Sequence, residues 1–76
     1  MNISGKNISR IRRKLGLTQA ELQQRCKRRG LSISRPVIAK IETGARSVSD
    51  KELVAFANAL NVRVTLLLAG ARSGQY

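Results

Sequence analysis

One pattern occurs four times in this chain: an apolar residue, a Ser or Thr, three further residues and a second apolar residue. Ile3-Ser4 leads to Ile8, Leu17-Thr18 to Leu22, Ile33-Ser34 to Ile38, and Val48-Ser49 to Leu53. The hydroxyl stands where it can accept an orphan N–H at the start of a helix, and the flanking apolar pair stands where it can pack across the first turn. Thr18 with Glu21, and Ser49 with Glu52, add the reciprocal capping box. Gly16, Gly30, Gly44 and Asn61 then close the segments in turn, each able to take a positive φ cheaply. The chain is thereby committed to four short helices, over about 5–15, 19–29, 35–43 and 50–60.

Helical spacing assigns an inward face to each. Ile8, Ile11 and Leu15 share one side of the first helix, Leu22 and Cys26 of the second, Ile38 and Ile41 of the third, and Leu53, Phe56, Ala57 and Leu60 of the fourth. The apolar segment 62–69 alternates like a strand in its first half and has no period in its second, and Arg63 is a poor cap. It is read as a short fifth helix, because a lone strand among helices would have only a copy of itself to pair with. The expectation is an all-α, compact five-helix bundle over residues 1–71, with residues 72–76 a polar tail that frays.

Charge narrows the function. Fifteen Lys and Arg stand against four Asp and Glu, a formal +11 on 76 residues, and phosphate is the matching counter-charge. The longest apolar run, residues 64–71, is too short and too interrupted to span a membrane, and the N-terminus lacks the pattern of a signal peptide, so a cytoplasmic protein is expected. One cysteine and no histidine leave no ordinary metal site and no Cys-His pair; no cofactor is expected, and Cys26 reads as a small buried apolar residue. With no histidine, and with the acids engaged at caps or in an ion pair, an enzyme is disfavoured.

Gly5, Arg12 four residues before Gly16, the run Leu17-Thr18-Gln19-Ala20-Glu21-Leu22, residues 34–44 with Ile38, Ile41 and Glu42, and the segment 53–67 together resemble the Cro and phage-repressor (XRE) helix-turn-helix family. The resemblance covers about residues 5–69 and implies a lambda-repressor-like fold in which the second helix lies over the phosphate backbone and the third enters the major groove. It also implies an ion pair between Arg12 and Glu42, tying the first helix to the end of the third. Two departures stand out. The third helix comes four or five residues later than is usual in the family, and Gln23 occupies a position where the family commonly has Ala.

With Ile38 and Ile41 facing the core, Arg35, Pro36, Ala39 and Lys40 face outward and Val37 lies at the border. Arg35, Pro36, Val37 and Lys40 are the candidates for base contact: Arg35 can donate twice to a guanine edge, and Pro36 and Val37 can lie against a thymine methyl. Pro36 has an equally good conformational reason for its place, since its missing N–H would be an orphan there anyway. Thr18, Gln19, Ser34, Ala39, Arg46 and Ser47 are the candidates for phosphate. Leu66, Leu67 and Leu68 are the expected dimer contacts, since so short a helix cannot bury all of them within its own domain. Residues 27–29 are read as a solvated basic helix end.

The expected function is a sequence-specific, double-stranded DNA-binding transcriptional regulator, a repressor that binds a palindromic operator as a homodimer, encoded by a bacterium or phage. Two alternatives are an antitoxin-like regulator that also binds a protein partner and an RNA- or ribosome-associated basic protein. The second lacks aromatic side chains for stacking bases, Phe56 being needed by the core and Tyr76 lying in the tail.

Overall fold

A computed structural model describes residues 3–69 of the chain, and among them every element is helical: α1 (Ile3–Lys14), α2 (Gln19–Arg28), α3 (Arg35–Thr43), α4 (Asp50–Leu60) and the single turn α5 (Val64–Leu67). The tail expected to fray lies outside the described residues. α1 packs on α3, α4 and α5, while α2 packs on α3 and α4, so the first helix and the helical pair α2–α3 share one core. Phe56, Ile8, Leu22, Ile38, Ile41, Leu60, Leu67 and Cys26 are fully buried in it.

The four longer helices end in the same way. After each, the residue in the left-handed region donates to a carbonyl three back, and its successor donates to one five back: Leu17 to Arg12, Leu31 to Cys26, Ala45 to Lys40 and Val62 to Ala57. This is the Schellman closure, which satisfies carbonyls that would otherwise be orphaned. At Asn61, φ is 58°, a region that Asn tolerates better than most side chains. Leu17, Leu31 and Val62 follow these closures and tuck against the core, whereas Ala45 stays exposed.

α1 corrects two expectations. Ser4 lies inside the helix, which already runs at Ile3, so its hydroxyl does not start the helix. Leu15 is 50% exposed, because α1 ends at Lys14 and the closing turn at Gly16 carries Leu15 out of the periodic face. Inside the bundle, Asn7 donates from Nδ2 to the carbonyl of Leu67 at 2.7 Å, so a buried amide answers a carbonyl at the end of α5. That bond fixes the last turn against the first helix. It accompanies the full burial of Leu67, which is a core residue and not a surface contact.

Candidate nucleic-acid interface

Helices α2 and α3 are joined by residues 29–34, in which Gly30 reverses the chain and residues 31–34 form no regular element before α3 begins. The connection between Arg28 and Arg35 is thus six residues long. Gln23 is half-buried and lines a cleft with Gln24, Lys27, Ser32 and Ile33, so its larger side chain lies beside the connection.

Glu42 brings α1, the start of α2 and the end of α3 together. Arg12 donates to it twice, from Nε at 2.7 Å and from Nη2 at 3.0 Å, and uses Nη1 on the carbonyl of Leu17 at 2.7 Å. Gln19 Nε2 donates to the same carboxylate at 3.0 Å. The pair is nearly dry, with 11% of the Arg12 side chain and 4% of that of Glu42 exposed. Burial by itself pushes the Glu42 carboxyl up, but hydrogen bonds from Arg12, Gln19 and Ser9 and the Arg12 charge outweigh it and hold the group below the usual carboxylate range. One carboxylate thus ties α1, the first residue of α2 and the end of α3 into a fixed triangle.

Within that frame, Gln19, Arg35, Pro36 and Ala39 line one open cleft. Arg35, Pro36 and Lys40 are exposed; Val37 and Ala39 are half-buried, and Val37 packs against the core. Val37 therefore has less surface to offer than Pro36. Gln19 is partly committed to Glu42, a use the sequence reading did not foresee, though its amide retains a second N–H. Thr18 accepts from the Glu21 N–H while its own N–H donates to Glu21, so its hydroxyl keeps only its proton to offer.

Ser34 is the N-cap of α3 by backbone geometry, but its side chain accepts no hydrogen bond there. Pro36 stands at the second helical position and removes one of the N–H groups such a hydroxyl would serve. The N–H groups of Arg35 and Val37 have no acceptor among the described residues. This end of α3 thus presents a free hydroxyl, open N–H groups and the positive end of a helix dipole beside a cationic side chain, an arrangement that takes an anion.

The loop after α3 departs from expectation. Arg46 is drawn back onto Glu52, with Nη1 3.0 Å from Oε1 and Nη2 2.8 Å from Oε2, and also donates to the carbonyl of Ser47. Its guanidinium holds the Glu52 carboxyl down at about 2. Ser47 stays exposed, so of the two loop candidates it is the one left open. The capping spacing of Ser49 and Glu52 hides this pair in the sequence, yet a carboxylate has lone pairs enough for both duties.

At the far side of the bundle, Leu66 is 42% and Leu68 40% exposed, while Leu67 is fully buried. Successive residues of one helical turn point about 100° apart, so three adjacent leucines cannot share a face. Cys26 is buried and its thiol is pushed up to about 11 by burial, which keeps it protonated. Among the described residues no group of His, Cys, Asp and Glu could hold a metal ion, and no helix is long and apolar enough to cross a membrane. A family model described as helix-turn-helix matches residues 8–67 of the chain. No curated protein and no solved structure matches it.

Proposed function

The chain belongs to the Cro/C1-type helix-turn-helix family of DNA-binding transcriptional regulators, which are not enzymes, and on that premise we propose that it is a repressor reading a palindromic operator as a homodimer. Its five-helix, all-α architecture is consistent with the lambda-repressor-like fold. The observation that carries the finer reading is the open start of α3: an uncapped Ser34 and unpaired N–H groups stand beside Arg35, with Gln19 held next to them by Glu42.

In this reading α3 lies in the major groove. Arg35 donates to a guanine edge, Lys40 reaches a base or phosphate one turn on, and Pro36 with the exposed part of Val37 contacts thymine methyls. The hydroxyls of Thr18, Ser34 and Ser47 and the Gln19 amide hold phosphates on either side, and Ala39 lies in van der Waals contact with the DNA backbone. Arg46, engaged by Glu52, acts on phosphate only at the expense of that pair. Leu66 and Leu68 supply the dimer contact, and Leu67 serves the fold instead. Such an activity places the chain in the cytoplasm, with the DNA.

Selection of bound duplexes from a random pool tests the proposal. The expected product is two inverted half-sites with centres about 10–10.5 base pairs apart; enrichment of no sequence, or of a single asymmetric site, would overturn the dimeric operator reading. Arg35→Ala should weaken the selected site by about 1–3 kcal/mol and relax one base position. Equal weakening on random DNA would move Arg35 to the phosphate contacts. Sedimentation should give a dimer that Leu66→Glu dissociates.

A further inference from the structure

The cations at the end of α2 have no part in the reading surface. Arg25, Arg28 and Arg29 line one cleft of about 470 Å³ with Asn58, Ala59 and Asn61 from the end of α4. Nine residues separate Arg28 from Gln19, which is about 13 Å along the helix axis and about 180° around it. The cleft therefore opens on the other end and the other side of α2 from the surface that Gln19 shares with α3.

Helix dipoles account for only part of this charge. α2 and α4 both end at the cleft, and Arg25 answers the α4 end by donating from Nη1 to the carbonyl of Ala59 at 3.3 Å. Arg28 and Arg29 are exposed and make no side-chain hydrogen bond or ion pair with any described residue, and no acidic residue lines the cleft. Guanidinium groups converging without a counter-ion repel one another, and an oxyanion placed between them relieves that repulsion while matching their forked donors. Asn58 and Asn61, both exposed, add amide donors on the α4 side. The lining has no aromatic or large apolar side chain, so it offers nothing for a base to stack on or a hydrophobic anchor to fill.

We propose that this cleft is a second phosphate-binding site, separate from the DNA-reading surface, in which Arg28 and Arg29 hold a phosphate or pyrophosphate group with Asn58 and Asn61 as flanking hydrogen-bond donors. The group has two sources of the same chemistry, a small phosphorylated molecule or the backbone of a second nucleic-acid segment.

Titration of the full chain with inorganic pyrophosphate at constant ionic strength, followed by NMR at the arginine Nε–H and asparagine amide signals, tests the site. Saturable shifts are expected at Arg28, Arg29, Asn58 and Asn61. They should weaken by about tenfold or more in the double variant Arg28→Ala, Arg29→Ala, whose unchanged core signals would show an intact fold, and persist in Arg35→Ala, so the result is independent of how α3 reads DNA. Shifts spread evenly over all surface cations and insensitive to the double variant would overturn the proposal, as would tighter binding of poly-glutamate than of pyrophosphate. Capture of a free duplex by protein already bound to a bead-tethered duplex, lost in the double variant, would assign the phosphate to a second nucleic-acid segment. Pyrophosphate binding without such capture would assign it to a small molecule.

Discussion

The N-termini of α2 and α4 share one sequence pattern with that of α3, but they reach opposite states. Thr18 and Ser49 complete capping boxes with Glu21 and Glu52, so the N–H groups of the cap and of the third helical residue in α2 and α4 are answered from within. Ser34 makes no such bond, Pro36 replaces one N–H, and the chain has Val37 where the other two helices have a glutamate. The C-termini repeat the contrast: Leu31 and Val62 anchor the closures of α2 and α4 in the core, while Ala45 after α3 is exposed. α3 is thus held by its inward face, Ile38 and Ile41, and near its C-terminus by the Arg12–Glu42 pair, with its N-terminus left to the surroundings. A helix that is to meet a phosphate backbone end-on gains from this, because a self-capped end has already used its cap hydroxyl and its third N–H.

The largest effect should come from cutting the tie that replaces local anchoring. Arg12→Ala leaves Glu42 buried without its partner and should lower stability by about 3–5 kcal/mol in urea unfolding. A loss below about 1 kcal/mol would show that the inward apolar face alone holds α3. Next come the capped ends: Thr18→Ala and Ser49→Ala should each cost about 1 kcal/mol by the same measurement.

Acid should weaken the capped end of α4 in particular. Glu52 stands at about 2 in the fold against 4.5 for an ordinary glutamate, and Glu42 is also lowered. A carboxylate with a depressed folded-state pKa contributes stability that is whole above pH 4.5 and is lost as the pH falls toward about 2. The thermal midpoint should fall across that window, modestly, because Arg46 is partly solvated. Glu52→Gln, which keeps a capping side chain, should flatten part of the fall; an unchanged slope would assign the acid sensitivity to Glu42 and Glu21, whose carboxyls are also lowered. At the small end, Ser34→Ala should change stability by no more than about 0.5 kcal/mol. It should nevertheless weaken DNA binding, by about 1.5–3 kcal/mol for a hydrogen bond to a charged acceptor. Equal stability losses at Ser34 and Thr18 would erase the contrast between the helices.

Much of this was legible because helix ends are local. The bounds of α3 and α4, the boxes at Thr18 and Ser49 and the positive φ at Gly16, Gly30, Gly44 and Asn61 depend on residues within a few positions of one another. Ser4 shows the limit of the same rule: its spacing to Ile8 fits a cap, yet nothing local stops the helix from running at Ile3. The arrangement around the α2–α3 pair was less legible. Gln19 on Glu42 and Arg46 on Glu52 are choices between an outward and an inward rotamer of the same side chain, and the sequence holds both.

The sequence by itself determined that the chain is helical, where its longer helices stop, most of the residues that form the core, and that the surface is strongly cationic; these follow from backbone satisfaction, side-chain period and charge. Only the tertiary structure decided that Leu67 belongs inside while Leu66 and Leu68 do not, and that Arg46 faces an acid. It also gathered Arg25, Arg28 and Arg29 against the end of α4. Those outcomes depend on which distant group arrives beside each side chain, and spacing along the chain carries no record of that.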